Sequence, residues 1–362
     1  MEILMASRNR ANLISLNLTF DVFDKYGLNH SLNEITKVFE IISVAFYPFV
    51  MCIIITKSPK KMEYYKYFLM VQSTATATLN LMFILGNPTI VFPFLVLYND
   101  GLLNCNATMT KFVFLATIMS IVIMATTTFA QIAYRIMVTF DRDHFFYKMS
   151  RPKIFTSLIV LGCFGVAAII FVPLAIDPPS ADIKSLEIDF PALATVFDNH
   201  PNTIGYFPEH FGFVQFSILA LFLVALVVVP VVILVNTIMI WRLKQMKKSM
   251  QKPTYKLHAV LCRALFVQTL LTQLLLTPFL IAFALSLQFA LIEGNIIERL
   301  FILSSSVYAV SEFICVLYFI TPYRIFLQQW GRAILGRPRE STIVRHFQSS
   351  KVFYLARKRS TF

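Results

Sequence analysis

Glu312 is the acid whose setting first suggests chemistry, because it stands mid-way in an apolar run from Ile297 to Thr321. An ionised carboxylate is costly in hydrocarbon, so such a side chain faces a protein interior and takes a partner. Asn80 is the candidate partner. Glu312 lies ten residues before Pro322, about 15 Å along a helix, and Asn80 lies 13 residues after Tyr67, about 20 Å along its own. The two are expected to share a layer, bonded directly or through water or a cation. Two roles stay open for Glu312: a structural glutamate, or a switch whose ionisation or cation occupancy biases two states of the protein.

The other reactive residue types are scattered. None of the six His falls mid-span, so no zinc cluster forms from them. No Lys lies between Ile297 and Thr321, which leaves a Schiff base there without its nucleophile. No Gly-rich phosphate loop and no Ser/His/Asp spacing stands out. The expected chemistry is recognition rather than catalysis, with no cofactor and no metal.

These residues are carried by elements built for lipid. Of 362 residues, 57% are hydrophobic and only 14% charged, and the mean hydropathy is +0.69. Soluble domains are about 45–50% apolar and about 25% charged, so an ordinary cytosolic enzyme, a disordered chain and a disulfide scaffold are excluded. A membrane-crossing helix needs about 20 mostly apolar residues. Seven runs qualify: Val38–Thr56, Tyr67–Ile90, Thr110–Thr139, Lys153–Ile176, Phe211–Trp241, Ala259–Leu291 and Ile297–Thr321. The fold class is therefore all-α, a seven-transmembrane helix bundle. Pro173, Pro230 and Pro278 fall inside spans, where neighbouring helices satisfy the freed carbonyls.

Charge orients the bundle. The segments after spans one, three, five and seven hold 25 of the 32 basic residues against four acids. By the positive-inside rule this face is cytoplasmic and the N-terminus is outside. The formal charge of +13 thus reflects membrane topology and anionic lipid, and no nucleic-acid partner is expected. The sequons at Asn17, Asn29 and Asn106 all fall on the proposed outer side. Asn17 and Asn29 are expected to be glycosylated, while Asn106 lies close to span three. No cleaved signal peptide is expected. Cys105 is the only exterior Cys and is expected to be a free thiol or, failing that, to pair between molecules.

Local motifs carry a family resemblance. Lys57-Ser-Pro-Lys-Lys-Met62 followed by Tyr65-Lys-Tyr-Phe-Leu69 resembles the first inner loop of the nematode serpentine chemoreceptors, classes H and I of the Str superfamily. Phe266-Val-Gln-Thr-Leu270, with Pro278 ten residues after Gln268, resembles their sixth helix. Thr321-Pro-Tyr-Arg-Ile-Phe326 resembles the signature that closes their seventh. The likeness covers roughly residues 38–330. The chain departs from the pattern at Ala133-Tyr134-Arg135, where class H carries an acidic or Asn-containing run, and at Asn80, where an acid is frequent. The resemblance implies a G-protein-coupled chemosensory receptor in the plasma membrane of a sensory-neuron cilium. It also implies a small odorant or pheromone-like ligand and a heterotrimeric G protein as partners.

Roles follow for named residues. Arg135, at the inner end of span three, is either the switch arginine that the resemblance implies or a snorkelling topology charge. Pro322, Tyr323 and Arg324 should end span seven. Beyond them Phe326, Trp330 and Ile334 recur every four residues, as in a short amphipathic helix along the interface. A ligand pocket is expected among the outer halves of spans three, five, six and seven, with Phe114, Met119, Gln273, Phe279 and Tyr308 as candidates. The outer loop Asp177–His210 is expected to form a lid. The chain divides into an extracellular segment (1–37), the receptor bundle (38–322) and a cytoplasmic helix with a basic tail (323–362). A transporter or ligand-gated channel is the alternative function.

Overall fold

The computed structural model describes residues 28–58, 62, 65–92, 95–103, 106–138, 140, 144–176, 182–188, 190–206, 212–247, 252–289, 291 and 294–334. Asn17, Cys105 and the tail after Ile334 lie outside the described residues, as does the side chain of Asn29.

In hydrocarbon each backbone N–H and C=O must be satisfied within the chain, and long apolar runs meet that demand as helices. The seven expected spans are α1 (Leu28–Lys57), α2 (Tyr65–Gly86), α3 (Ala107–Met137), α4 (Pro152–Ile176), α5 (Gly212–Met246), a broken sixth span and α8 (Gly294–Phe319). The sixth runs as α6 (Lys252–Leu271), a π-helical turn (Thr272–Leu276) and α7 (Thr277–Phe289). Five of the seven meet a strict test of length and apolarity among the described residues. α4 and α5 complete the seven-transmembrane bundle. A short amphipathic helix, α9 (Thr321–Ile334), follows α8, as the spacing of its apolar residues anticipated.

Several boundaries differ from expectation: the sixth span starts at Lys252 and not Ala259, the fifth runs on to Met246, and two further differences have a local cause. α1 starts ten residues earlier than the apolar run, because its first turns are held locally: Glu34 pairs with Lys37 at 3.0 Å and Thr36 donates to the Leu32 carbonyl at 2.7 Å. The second span stops at Gly86 and does not reach Ile90. Asn87 adopts φ of 40°, the left-handed conformation that closes many helices, and Pro88 cannot continue the ladder. The apolar residues beyond it form a hairpin, β1 (Pro88–Val91) against β2 (Val96–Asn99), with Val91 opposite Val96 and Pro88 opposite Asn99. β3 (Ile204–Gly205) adds antiparallel to β2.

This small sheet and the segment before β3 make a cap over one end of the bundle. Period-two alternation divides its side chains. Val91 and Val96 pack on Ile183, Leu193 and Phe197 of the loop, whereas Ile90 and Leu97 pack on Phe92, Leu287 and Phe114 toward the helices. At the other, basic end a second cluster joins α1, α2, α6, α8 and α9 through Ile53, Tyr65, Leu261, Phe313 and Tyr323. Asn106 serves as the N-cap of α3, accepting from the Met109 N–H at 2.9 Å.

Asn tolerates left-handed backbone better than Ala does, and its side chain accepts from Arg299, so Asn87→Ala loses on both counts. We expect a lower melting temperature for Asn87→Ala in lipid nanodiscs and only partial recovery with Asn87→Gly, which relieves the backbone but cannot accept from Arg299, measured by thermal unfolding.

Candidate functional site

The cap is latched to the first turn of α8 by three polar side chains. Both carboxylate oxygens of Glu298 accept from the Ile90 N–H, at 3.0 and 3.1 Å, and Asn295 Oδ1 accepts from the Phe92 N–H at 3.2 Å. Arg299 donates to Asn87 Oδ1 and Thr89 Oγ1, each at 3.2 Å. Gly294 lies so close to the Phe92 ring that a β-carbon there would overlap it. Beneath the latch, three aromatic rings form a roof: Phe92 meets Phe283 edge-on at 6.1 Å, and Phe283 stacks on Phe301 at 5.5 Å.

Under that roof lies a cavity of about 100 Å³ bounded by spans two, three, five, six and seven. Phe301 closes its top, and Met124, Thr272, Gln273 and Leu280 are among its walls. The π-helical turn belongs to this wall. Its extra residue widens the helix, and Ser304 of α8 donates to the Leu275 carbonyl there. Of the five residues expected in a ligand pocket, only Gln273 lines the cavity. Phe114 instead packs against the cap cluster. Met119 and Phe279 are half-buried elsewhere on their helices. Tyr308 sits just below, accepting from Thr272 Oγ1 at 3.4 Å and from Gln72 Nε2 at 3.3 Å.

Tyr308 opens a polar layer. Gln72 also accepts from Gln131 of α3. One turn along α8, Glu312 Oε2 accepts from Thr76 Oγ1 at 2.9 Å. The expected bond between Glu312 and Asn80 does not form. Asn80 sits one turn too far along α2 and donates instead to Ser43 Oγ and to the Thr76 carbonyl, both at 3.1 Å. Thr76 is therefore the residue that joins the two. Two further acids are buried in spans, Glu40 and Glu298, each 3% exposed. Glu312 Oε1, Asn80 Oδ1, Gln131 Oε1 and both amide atoms of Gln268 have no hydrogen-bond partner among the described residues.

At the basic end Arg135 turns inward instead of snorkelling. It is 5% exposed, and its guanidinium lies 4.0 Å from the centre of the Tyr65 ring. Its Nε and one Nη have no hydrogen-bond partner among the described residues. Tyr323 is fully buried, and its hydroxyl meets Ser58 Oγ at 2.6 Å. Pro322 occupies the first turn of α9, and Arg324 lies over the Tyr318 ring at 5.7 Å.

Residues 29–332 match the family model described as serpentine type 7TM GPCR chemoreceptor Srh. The chain belongs to that family. No curated protein and no solved structure matches it. The family is one of chemoreceptors and not of enzymes, so this is a multi-pass membrane receptor of the G-protein-coupled type. The Ser58–Tyr323 bond gives two of its sequence motifs a shared purpose: the first-loop run and the closing run of span seven are one contact in space.

Several of the receptor's site residues were not apparent from sequence. Tyr65 was seen only as part of a motif, while Gln72, Thr76 and Gln131 are ordinary polar residues until helix packing brings them together. Glu298 and Arg299 did carry a signal, an adjacent charged pair at the head of an otherwise apolar span.

Within the cap, His200 stacks on Tyr98 with ring centres 4.1 Å apart. Burial pushes the imidazole below its ordinary pKa of 6.5, with Asp100 opposing. Burial also raises the Tyr98 phenol to about 12. A depressed histidine contributes stability that is whole above pH 6.5 and is lost as pH falls below it. Cap amides of the receptor, corrected for their intrinsic exchange rates, should therefore be less protected at pH 5 than at pH 7, and His200→Phe should flatten that dependence.

Proposed function

We propose that the receptor detects a small molecule in the mid-bundle cavity and signals to a heterotrimeric G protein from its basic end. In this reading it is a chemosensory receptor of the plasma membrane, at a sensory-neuron cilium. Its N-terminus and cap face outward, with glycans on Asn17 and Asn29, and its C-terminus is cytoplasmic. The distribution of basic residues supports that orientation. The observation that carries the reading is a single side chain shared by two sites. Thr272 lines the cavity and also hydrogen-bonds Tyr308 of the polar layer.

A ligand pressing on the π-helical turn shifts Thr272, and with it the Tyr308–Gln72–Gln131 chain that ties spans six and seven to two and three. Arg135 lies one turn beyond Gln131 on α3. The movement thus reaches the arginine that Tyr65 holds folded inward. A ligand that favours the displaced arrangement raises its population by its differential affinity for the two states.

The test is nucleotide exchange on a purified heterotrimeric G protein by the receptor in nanodiscs across a panel of volatile and water-soluble compounds. An epitope placed after Phe362 that is accessible in unpermeabilised cells would overturn the orientation. Arg135→Ala should reach the surface at the normal level and lose at least tenfold in exchange. Tyr65→Leu should raise ligand-free exchange, because a cation–π contact of about 0.5–2 kcal/mol no longer holds the arginine inward.

Glu312 is assigned the switch role in this scheme, with Thr76 as its partner in the observed state. Glu312→Gln should keep the fold and shift the ligand-free activity. Identical signalling by wild type and Glu312→Gln across pH and sodium concentration would leave Glu312 a structural residue.

A further inference from the structure

The cavity is closed above and below. Over it Phe301, Phe283 and Phe92 form a continuous run of rings, and Phe92 is fully buried under a cap that Glu298, Asn295 and Arg299 fasten to α8. A solute arriving from the outer water has to part both the ring contacts and these hydrogen bonds. Below the cavity Gln72, Gln131 and Tyr308 are bonded across three spans, and none is more than 1% exposed.

The side between α3 and α5 is different. Ile121, Ala125 and Phe129 recur every four residues along one face of α3, and all three line the cavity. Ala125 is the only exposed residue of α3 between Val113 and Met137, so the wall is open where it stands. α5 closes on the bundle only from Val232 inward: Val232, Asn236 and Met239 are buried, and Val232 lines the cavity. Before Val232 no described side chain of α5 is buried, and Leu223, Leu226 and Val227 are exposed.

α4 packs beside both spans and leaves the opening uncovered. Its one buried side chain among those described is Phe155, which meets Ala130 and Tyr134 toward the inner end of α3. Ala125 lies about 8 Å outward of Ala130 along α3, and Gly162 about 10 Å outward of Phe155 along α4, so the two share a depth. There α4 stands clear. Leu161 is 70% and Phe164 71% exposed, and a β-carbon added at Gly162 or Gly165 would meet nothing within 4 Å. Small residues usually let membrane helices approach closely, but lipid tails are as apolar as the spans, and no hydrophobic force draws such a gap shut.

We propose that the mid-bundle cavity is entered from the bilayer, through a gap between α3 and α5 with Ala125 as its threshold. The receptor then samples molecules dissolved in the membrane and not those in the outer water. Its bearing on sensing rests on the reading of the cavity as the ligand site, but entry is measured without any G protein.

Met124 is buried, lines the cavity and adjoins Ala125, so Met124→Cys reports what passes the threshold. The receptor in nanodiscs is exposed either to methyl methanethiosulfonate, small and uncharged, or to its trimethylammonium-ethyl analogue, which stays in water. Modification is then read cysteine by cysteine by peptide mass spectrometry. The uncharged reagent should modify Met124→Cys, and the charged one should not. Adding Ala125→Trp should slow the modification at least tenfold, whereas adding Asn295→Ala, which loosens the cap, should change it less than twofold. Equally fast modification with Ala125→Trp, in a protein that melts like wild type, would overturn the proposal. So would a several-fold acceleration by Asn295→Ala, or a charged reagent that works as well as the neutral one. The idea fails too if Ala125→Cys is modified and Met124→Cys is not. Full signalling by an Ala125→Trp receptor whose cavity the reagent cannot enter would instead count against the cavity as the ligand site and leave the route standing.

Discussion

Hydrocarbon supplies no hydrogen bonds, and every polar atom placed in it must be answered by protein. That constraint organises this receptor more than any single contact. Along α3 it turns hydroxyls back on the helix: Thr117, Thr126, Thr127 and Thr128 all donate to the carbonyl four residues earlier. In the sixth span it recruits Ser304 of the neighbouring helix to the Leu275 carbonyl, which sits in the π-helical turn just before Pro278. A hydroxyl satisfied at home leaves an apolar face to its neighbours, which is how a bundle rich in Thr still builds an apolar-walled cavity.

The same constraint explains the cap. Its strands are short, and their free N–H groups would be orphaned where the sheet meets the bundle. Glu298 and Asn295 accept from two of them, and Arg299 binds the Asn87 and Thr89 side chains. Hydrogen bonds from a charged group are worth more than neutral ones, so the Arg299 guanidinium strengthens the hold of β1 on α8. The latch ties the cap to the seventh span, and the aromatic roof lies between the cap and the cavity.

Below the cavity the bundle is held by a different balance. The polar layer joins four spans through Gln72, Gln131, Tyr308 and Thr272, yet it leaves several buried acceptors without partners among the described residues. A half-satisfied network is costly and is a place where a second arrangement of similar energy can exist. Arg135 obeys the same logic at the basic end. It takes the face of Tyr65 in place of an acid, an attraction weaker than a buried ion pair and correspondingly easy to release. The mid-bundle and the basic end are thus the softest polar contacts of a structure otherwise closed by strong ones.

Composition and periodicity alone determined that the chain crosses a membrane seven times and follows the seventh span with an amphipathic helix, because lipid tolerates few other solutions for such apolar runs. The motifs around Lys57 and Pro322 likewise identified the family before any packing was known. Partners across helices were another matter. A helix places candidates every three or four residues, and one turn of relative shift exchanges Asn80 for Thr76 beside Glu312. Phe114, Met119 and Phe279 have the types that line pockets, but rotation about the helix axis sends them to the cap cluster or to other faces. The hairpin after Gly86 was hidden because a buried strand and the end of an apolar helix share a composition, and the left-handed turn at Asn87 separates them. Depth and rotation are set by how side chains interlock between spans. Those contacts join residues far apart in the chain, so only the tertiary structure decides them.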